Sequence, residues 1–550
     1  MVRLVATFAC KIRNKIKTIS QTSEEKLEKW LNSRKAGIEV STLLVYLMIF
    51  AYTAVFSITT ILKYYAFRTY AWDLGINLQA LSTTLNEGKF LYYTPELFVI
   101  PSGNYFGLHF SPIMLLLLPI YGLYQNPVNL LAFQSFILAL GALPLYWFAR
   151  NALGSKVAAV GFALCYLIYA PLHGANWFDF HVQAFLPLFF FLAMYYFEQE
   201  KWSKYFIFVM LALTIAESVS ITVAFVGIYG VLKYRKVFFE TLKRKTLQDK
   251  RILIPLATVA IAVVWYLLSR SVQNTYFPIN SRFLDFYRAV NYWSVLGVPD
   301  PIGMPIYIIL NPSRVVEALM YDAYLKLLFI LLLFGSLLFL SLRSSIIIIA
   351  FSWLVPALLS NEAKFYILGN HYVLYLIPFL FLAAVDGMKK QRRSVNLAKF
   401  GGQIKNLLIL GIVFAVFMSP LSPLMQTTQF SIPYFSSYTL PIIGEHEIAL
   451  QKMVNLVPKN ASILTENNIF PHFADRSNAY VWPLPAAFQY APNEMNRYAN
   501  QLIMKSDYIL VDLVYDSETA NAILQRLQVF NATFSVLRSE DGIYLYARHG

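Results

Sequence analysis

Charged side chains are scarce in this chain. They make up 14% of its 550 residues against a hydrophobic share of 58%, whereas soluble domains carry about 25% charge. With a mean hydropathy of +0.53, that scarcity excludes water as the main solvent. Cysteine is nearly absent. Cys10 and Cys165 lie in a basic N-terminal segment and inside an apolar run, which excludes a disulfide framework and suits no metal site. There is no internal repeat and no low-complexity tract, which argues against inverted-repeat transporter folds. Acidic residues number 30 against 45 Lys and Arg, a net charge of +15. Nucleic-acid binding would need those cations on one soluble face. They mark membrane topology instead, so no nucleic-acid partner is expected.

What the chain has is long apolar runs. The first, Ser41 to Leu62, is 22 residues long, beyond the roughly 7–15 residue core of a cleavable signal, and no small-residue cleavage site follows it. It is expected to remain as a span, with the N-terminal segment 1–40 and its nine Lys or Arg in the cytoplasm. Further spans are expected at 128–148, 157–172, 182–197, 205–216, 218–232, 252–268, 322–341, 344–360, 371–387 and 406–424, about eleven in all. The connections that then face inward are 149–156, 198–204, 233–251, 342–343 and 388–405. Together with the N-terminus they hold 28 of the 45 basic residues, as the positive-inside rule requires.

The outer loops are then 63–127 and 269–321, within a transmembrane part spanning 41–424. Residues 107–124 are apolar, but counting them as a crossing would put the basic 233–251 loop outside. A re-entrant or interfacial helix resolves this. Residues 205–232 carry Lys or Arg at both ends and are expected to turn back at Glu217 as a hairpin of two short helices. The last stretch, 425–550, alternates helical runs (447–457, 516–529) with strand-like ones (Asp507 to Leu513, Thr533 to Arg538, Ile543 to Ala547), the pattern of a small extracytoplasmic α/β domain. Two N-x-S/T sequons, at Asn460 and Asn531, fall there.

An ionisable group at mid-bilayer costs at least about 2.5–3.5 kcal/mol, so function is sought among the few placed near the hydrocarbon. Asp73 follows the first span, His109 opens the re-entrant segment, and Asp179 and His181 end a span. Glu217 sits at the hairpin tip and His371 with Tyr372 begins another span. On the expected topology all meet at the outer face, near Arg282 and Arg288 of the second outer loop and near Lys364. Plainer readings exist. A lone Asp after a span caps helices, Asp-x-His does the same, loop arginines snorkel, and Tyr64, Tyr65, Tyr70 and Trp72 make an aromatic belt. Glu217, flanked by apolar segments, needs a cavity or a cation partner.

Asp73-Leu74-Gly75-Ile76, His109-Phe110-Ser111-Pro112-Ile113, the run Leu138 to Arg150, Gly174 to His181 and the stretch Val457 to Arg476 together resemble the DUF2079 family of predicted membrane proteins, over nearly the whole chain. One departure is visible: where that family usually has Lys-Glu-Asp, this chain has Ala216-Glu217-Ser218. DUF2079 proteins resemble the GT-C superfamily of membrane glycosyltransferases. The resemblance implies a GT-C-like α-helical polytopic fold, a polyprenyl-phosphate sugar donor, and a glycan, lipid or protein acceptor. It also implies a catalytic carboxylate in the first outer loop, where Asp73 stands. Asp179 and His181 would orient Asp73 or join it in holding a divalent cation, Mg²⁺ or Mn²⁺ by ligand type. His109, Glu217, Arg282, Arg288, Lys364, His371 and Tyr372 would bind the donor. The competing class is a transporter or flippase of a lipid-linked or small polar solute, with Glu217 and Asp179 lining its path.

Overall fold

The computed structural model describes residues 24–35, 37–244, 249–283, 292–298, 303–395, 400–427, 438 and 441–549. The first span forms as a helix over Val40–Tyr65. Val45, Ile49, Tyr52 and Phe56, at helical spacing, are buried, while Leu47, Phe50 and Ile58 on the other side stay exposed. Val263, Val264 and Leu267 on Lys250–Tyr276, and Ile412 and Phe417 on the helix that ends at Met418, are likewise exposed. Apolar faces of this size on helices whose backbone polar groups are satisfied internally fit lipid as their solvent.

Eleven crossings were expected, and the described helices support a smaller number. Four are long and apolar enough to cross a membrane: Val40–Tyr65, Pro127–Leu153, Lys250–Tyr276 and Gly401–Met425. Two bent pairs bring this to six. Lys156–Leu167 with Ala170–Trp177 bends by 41°, and Pro312–Met320 with Ala323–Gly335 by 79°. Val182–Glu198, Trp202–Leu213, Val219–Lys233 and Ile347–Leu359 are apolar but shorter. Even the longest of them, the stretch Val182–Glu198, reaches only about 26 Å at 1.5 Å per residue, against about 30 Å of hydrocarbon. The expected hairpin is present, Trp202–Leu213 and Val219–Lys233 separated by a turn that holds Glu217. The expected re-entrant segment is an 11-residue helix, Ile113–Leu123.

The C-terminal part is a five-stranded sheet. In chain order the strands are β1 (Ile463–Thr465), β2 (Ala479–Val481), β3 (Tyr508–Asp512), β4 (Phe534–Glu540) and β5 (Ile543–Arg548), arranged β2-β1-β3-β5-β4. β2, β1 and β3 are parallel, and β5 is antiparallel to both β3 and β4. β1 and β2 are only three residues each and escape a search for strand-length runs. Both faces of the parallel strands are covered, as such strands require, while β4 at the edge is largely exposed. Ile509 and Val511 pack with Leu502, Ile503 and Ile523 of the helices Pro492–Lys505 and Ser517–Leu527. Leu510 points the other way, into the core that continues through the transmembrane part.

The sheet domain is therefore docked on the segment that follows the first long helix. The Ala71 amide donates to the backbone and side-chain oxygens of Asn467 at 2.9 and 2.8 Å. Gln79 donates to the Arg476 carbonyl at 2.8 Å. The His472 ring lies between Tyr64 and Phe67, with centroids 4.2 and 4.0 Å away.

Candidate functional site

Asp73 sits on a wide π-type turn, Ala71–Gly75, that opens the helix Ile76–Glu87. Such widened turns recur at functional sites. This one is held from both sides of the molecule. The Tyr70 amide donates to Asp179 Oδ2 at 2.6 Å, Ala71 is tied to Asn467, and Asn77 Nδ2 donates to the Asp73 carbonyl at 2.8 Å. Gly75 leaves room for the sheet domain, since a Cβ there would stand 2.7 Å from Phe470 Cδ1.

The Asp73 carboxylate meets His181: Oδ1 and Nε2 are 3.1 Å apart, and the two side chains are 21% and 12% exposed, so the pair is confined but reachable. His181 is fixed in turn. Its amide donates to Gln134 Oε1 at 2.8 Å, its Nδ1 lies 3.0 Å from the Asp179 carbonyl, and its ring stacks on His371 at 3.8 Å and 17°. A carbonyl oxygen only accepts, so Nδ1 carries a proton. Nε2 is then the ring nitrogen that faces the carboxylate.

Asp179, expected to join in catalysis or metal binding, is engaged by Lys63 and the Tyr70 amide. Its carboxylate is buried with Lys63, Oδ1 to Nζ 2.6 Å, and its other oxygen accepts from Tyr70. Each of its two oxygens is thus engaged in holding the chain. Among the described residues no three His, Cys, Asp or Glu side chains converge as a metal set. Asp179 instead anchors the chain on either side of the dyad.

Glu217, which needed a cavity or a cation partner, meets an imidazole and a backbone amide. Its Oε1 is 3.5 Å from His109 Nδ1 and its Oε2 accepts from the Phe110 amide at 3.0 Å. Ser111 Oγ donates to the Ile215 carbonyl at 2.6 Å, lacing the two turns together. Ser218 Oγ lies 3.0 Å from Tyr375 OH, which joins this turn to His371–Tyr375. His109, His181 and Lys364 all lie within electrostatic reach of His371. His371 is buried, and its Nδ1 has no hydrogen-bond partner among the described residues. Tyr372 stacks on Trp353, and Lys364 Nζ rests 4.1 Å above the Tyr292 ring.

One expected donor-binding residue leaves the group. Arg282 is exposed and reaches Glu494 of the sheet domain at 3.4 Å, because its own loop runs out along that domain. Arg288 lies outside the described residues.

The sequence reading missed Lys63, Gln134, Asn467 and Glu96. Lys63 did leave a signal, a basic residue at the end of a span that the expected topology puts outside, where the positive-inside rule disfavours it. Glu96 left none. Its carboxyl is fully buried beside Tyr93, whose hydroxyl donates to it at 2.8 Å. Burial pushes its pKa up to about 7 against the opposing pull of that bond and of His109.

A family model described as "Predicted membrane protein (DUF2079)" matches residues 63–545, from Lys63 into the last strand of the sheet. Among curated proteins, none matches this chain.

Proposed function

Starting from the chain's membership of the DUF2079 family of predicted membrane proteins, we propose that it is a membrane glycosyltransferase moving a sugar from a polyprenyl-phosphate donor onto a glycan, lipid or protein acceptor. The observation that carries this reading is the Asp73–His181 dyad, partly open, on a turn pinned by both halves of the molecule, with the unsatisfied His371 Nδ1 stacked alongside.

In an inverting displacement the acceptor oxygen attacks the anomeric carbon and the lipid phosphate leaves with the electron pair of the broken C–O bond. The acceptor's proton passes to Asp73, the catalytic base. His181 is a positioning residue: it holds one carboxylate oxygen and leaves the other to take the proton. The departing phosphate gains negative charge, which His371 and Lys364 would stabilise. The donor enters from the bilayer, so this chemistry belongs at a membrane face. The full topology of this reading has about eleven crossings, counting the short helices as spans in a plasma membrane, with the N-terminus cytoplasmic and the sheet domain outside.

Asp73→Asn keeps the shape and removes the base. In proteoliposomes with a radiolabelled sugar on a polyprenyl-phosphate carrier, transfer is expected to fall by about 10²–10⁴-fold. Undiminished transfer would remove Asp73 from the mechanism. Uptake of solute with no covalent product, in the wild type, would replace transfer by transport.

A further inference from the structure

Three helices begin beside the dyad and end together elsewhere. Leu186–Glu198 follows the turn of His181, Val219–Lys233 follows Glu217, and Ile377–Val395 follows His371–Tyr375. Their far ends, roughly 20 Å away at 1.5 Å per residue, enclose a cavity of about 760 Å³. Its walls include the aromatic Tyr195 and Tyr229. Its charge is one-sided. Lys233, Arg235, Lys236, Lys389 and Lys390 line it, against only Glu198 and Asp386. Both carboxylates are taken: Glu198 holds Lys233 at 2.6 Å, and Asp386 holds Lys390 at 2.7 Å and the Ser344 hydroxyl at 2.6 Å. Arg235, Lys236 and Lys389 are left in excess around the hollow.

A bias of basic residues toward one membrane side would be satisfied by cations spread over solvent-facing loops. It does not call for them to converge on a concavity between helices, which is the arrangement that binds phosphate headgroups. The source of that phosphate is indicated by the neighbouring helix. Arg235–Arg244 supplies Arg235 and Lys236 to the cavity yet leaves Phe239 62% exposed. A basic helix with a bare aromatic side chain lies in the headgroup boundary of a bilayer.

We propose that this cavity binds the phosphate of an anionic membrane lipid, at a site distinct from the dyad and independent of whether the dyad transfers sugar. The lipid's phosphate would sit among Arg235, Lys236 and Lys389, with its chains along the apolar helix faces.

The test uses the full chain in detergent, titrated with phosphatidylglycerol or phosphatidylcholine and read by native mass spectrometry. Preferential retention of phosphatidylglycerol is expected, and equal retention of the two lipids would overturn the site. Replacing the three excess cations (R235Q, K236Q and K389Q together) should weaken phosphatidylglycerol binding on the order of 100-fold, about fivefold per charge. An unchanged affinity would overturn the assignment. Glu198→Gln, which frees Lys233, should tighten binding severalfold, a gain that misfolding cannot imitate; no gain, or a loss, would count against the charge argument. Added inorganic phosphate should compete only weakly. If it bound as tightly as the lipid, the site would serve free phosphate and the lipid assignment would fall.

Discussion

The two ends of the helices that link the dyad to the basic cavity handle charge in opposite ways. At the dyad end three carboxylates are each met by a specific partner: Asp179 by Lys63, Asp73 by His181, Glu217 by His109. At the cavity end cations outnumber carboxylates and three have none among the described residues. The first arrangement holds groups in fixed geometry at low net charge, which is what chemistry on a bound substrate needs. The second keeps a field that draws an anion in. Low dielectric makes the difference energetic as well as geometric, since a buried charge that loses its partner is costly and a half-exposed one is not.

The comparison is tested hardest at Lys63. Lys63→Met strands a buried Asp179 and is expected to cost about 3–5 kcal/mol, seen as a large drop in melting temperature in detergent. The double change Lys63→Met with Asp179→Leu should recover most of it. A single-variant loss no greater than that of a surface pair would break the contrast.

Next comes Glu96, whose neutral form the fold favours. With its pKa raised from 4.5 to about 7, the unfolded chain gives up this proton first as pH rises. Stability should therefore fall between about pH 4.5 and 7, by about 3 kcal/mol at 1.36 kcal/mol per unit, and level off above. Glu96→Gln should flatten that slope in thermal unfolding followed across pH, and a slope that survives would show another group to be responsible.

A smaller effect is expected at the seam with the sheet domain. Gly75→Ala pushes a methyl against Phe470, and overpacking of this kind costs about 1–3 kcal/mol. The flexible ring puts it at the low end, with faster protease release of the 441–549 region as the readout. Unchanged release would mean that the ring yields freely. Smallest of all, Lys390→Gln removes one half-exposed partner of Asp386 at the cavity end and should change stability by less than about 1 kcal/mol. A cost rivalling that of Lys63→Met would erase the difference between the two ends.

Much of the candidate site was legible because polar groups at the ends of apolar runs are confined to one of two planes. His109, Asp179, His181, Glu217 and His371 each sit at such an end. The partnerships were not legible. Asp179 was expected beside Asp73 as a ligand, yet it binds Lys63, 116 residues away. Arg282 was expected at the donor and reaches Glu494, 212 residues away. The two three-residue strands that complete the sheet were hidden by their shortness, and the number of full spans was blurred because a short apolar helix and a true span share the same composition.

By itself, then, the chain's order of residues determined the solvent, the helical runs, the small sheet domain and the set of ionisable groups at the ends of apolar runs, because these follow from local hydropathy and spacing. Tertiary structure alone decided which carboxylate meets which cation, that the sheet domain clamps the Asp73 turn, and that the surplus basic residues close around a hollow. Coulomb energies depend on distance and on burial, and for residues a hundred positions apart both are set only when the chain packs.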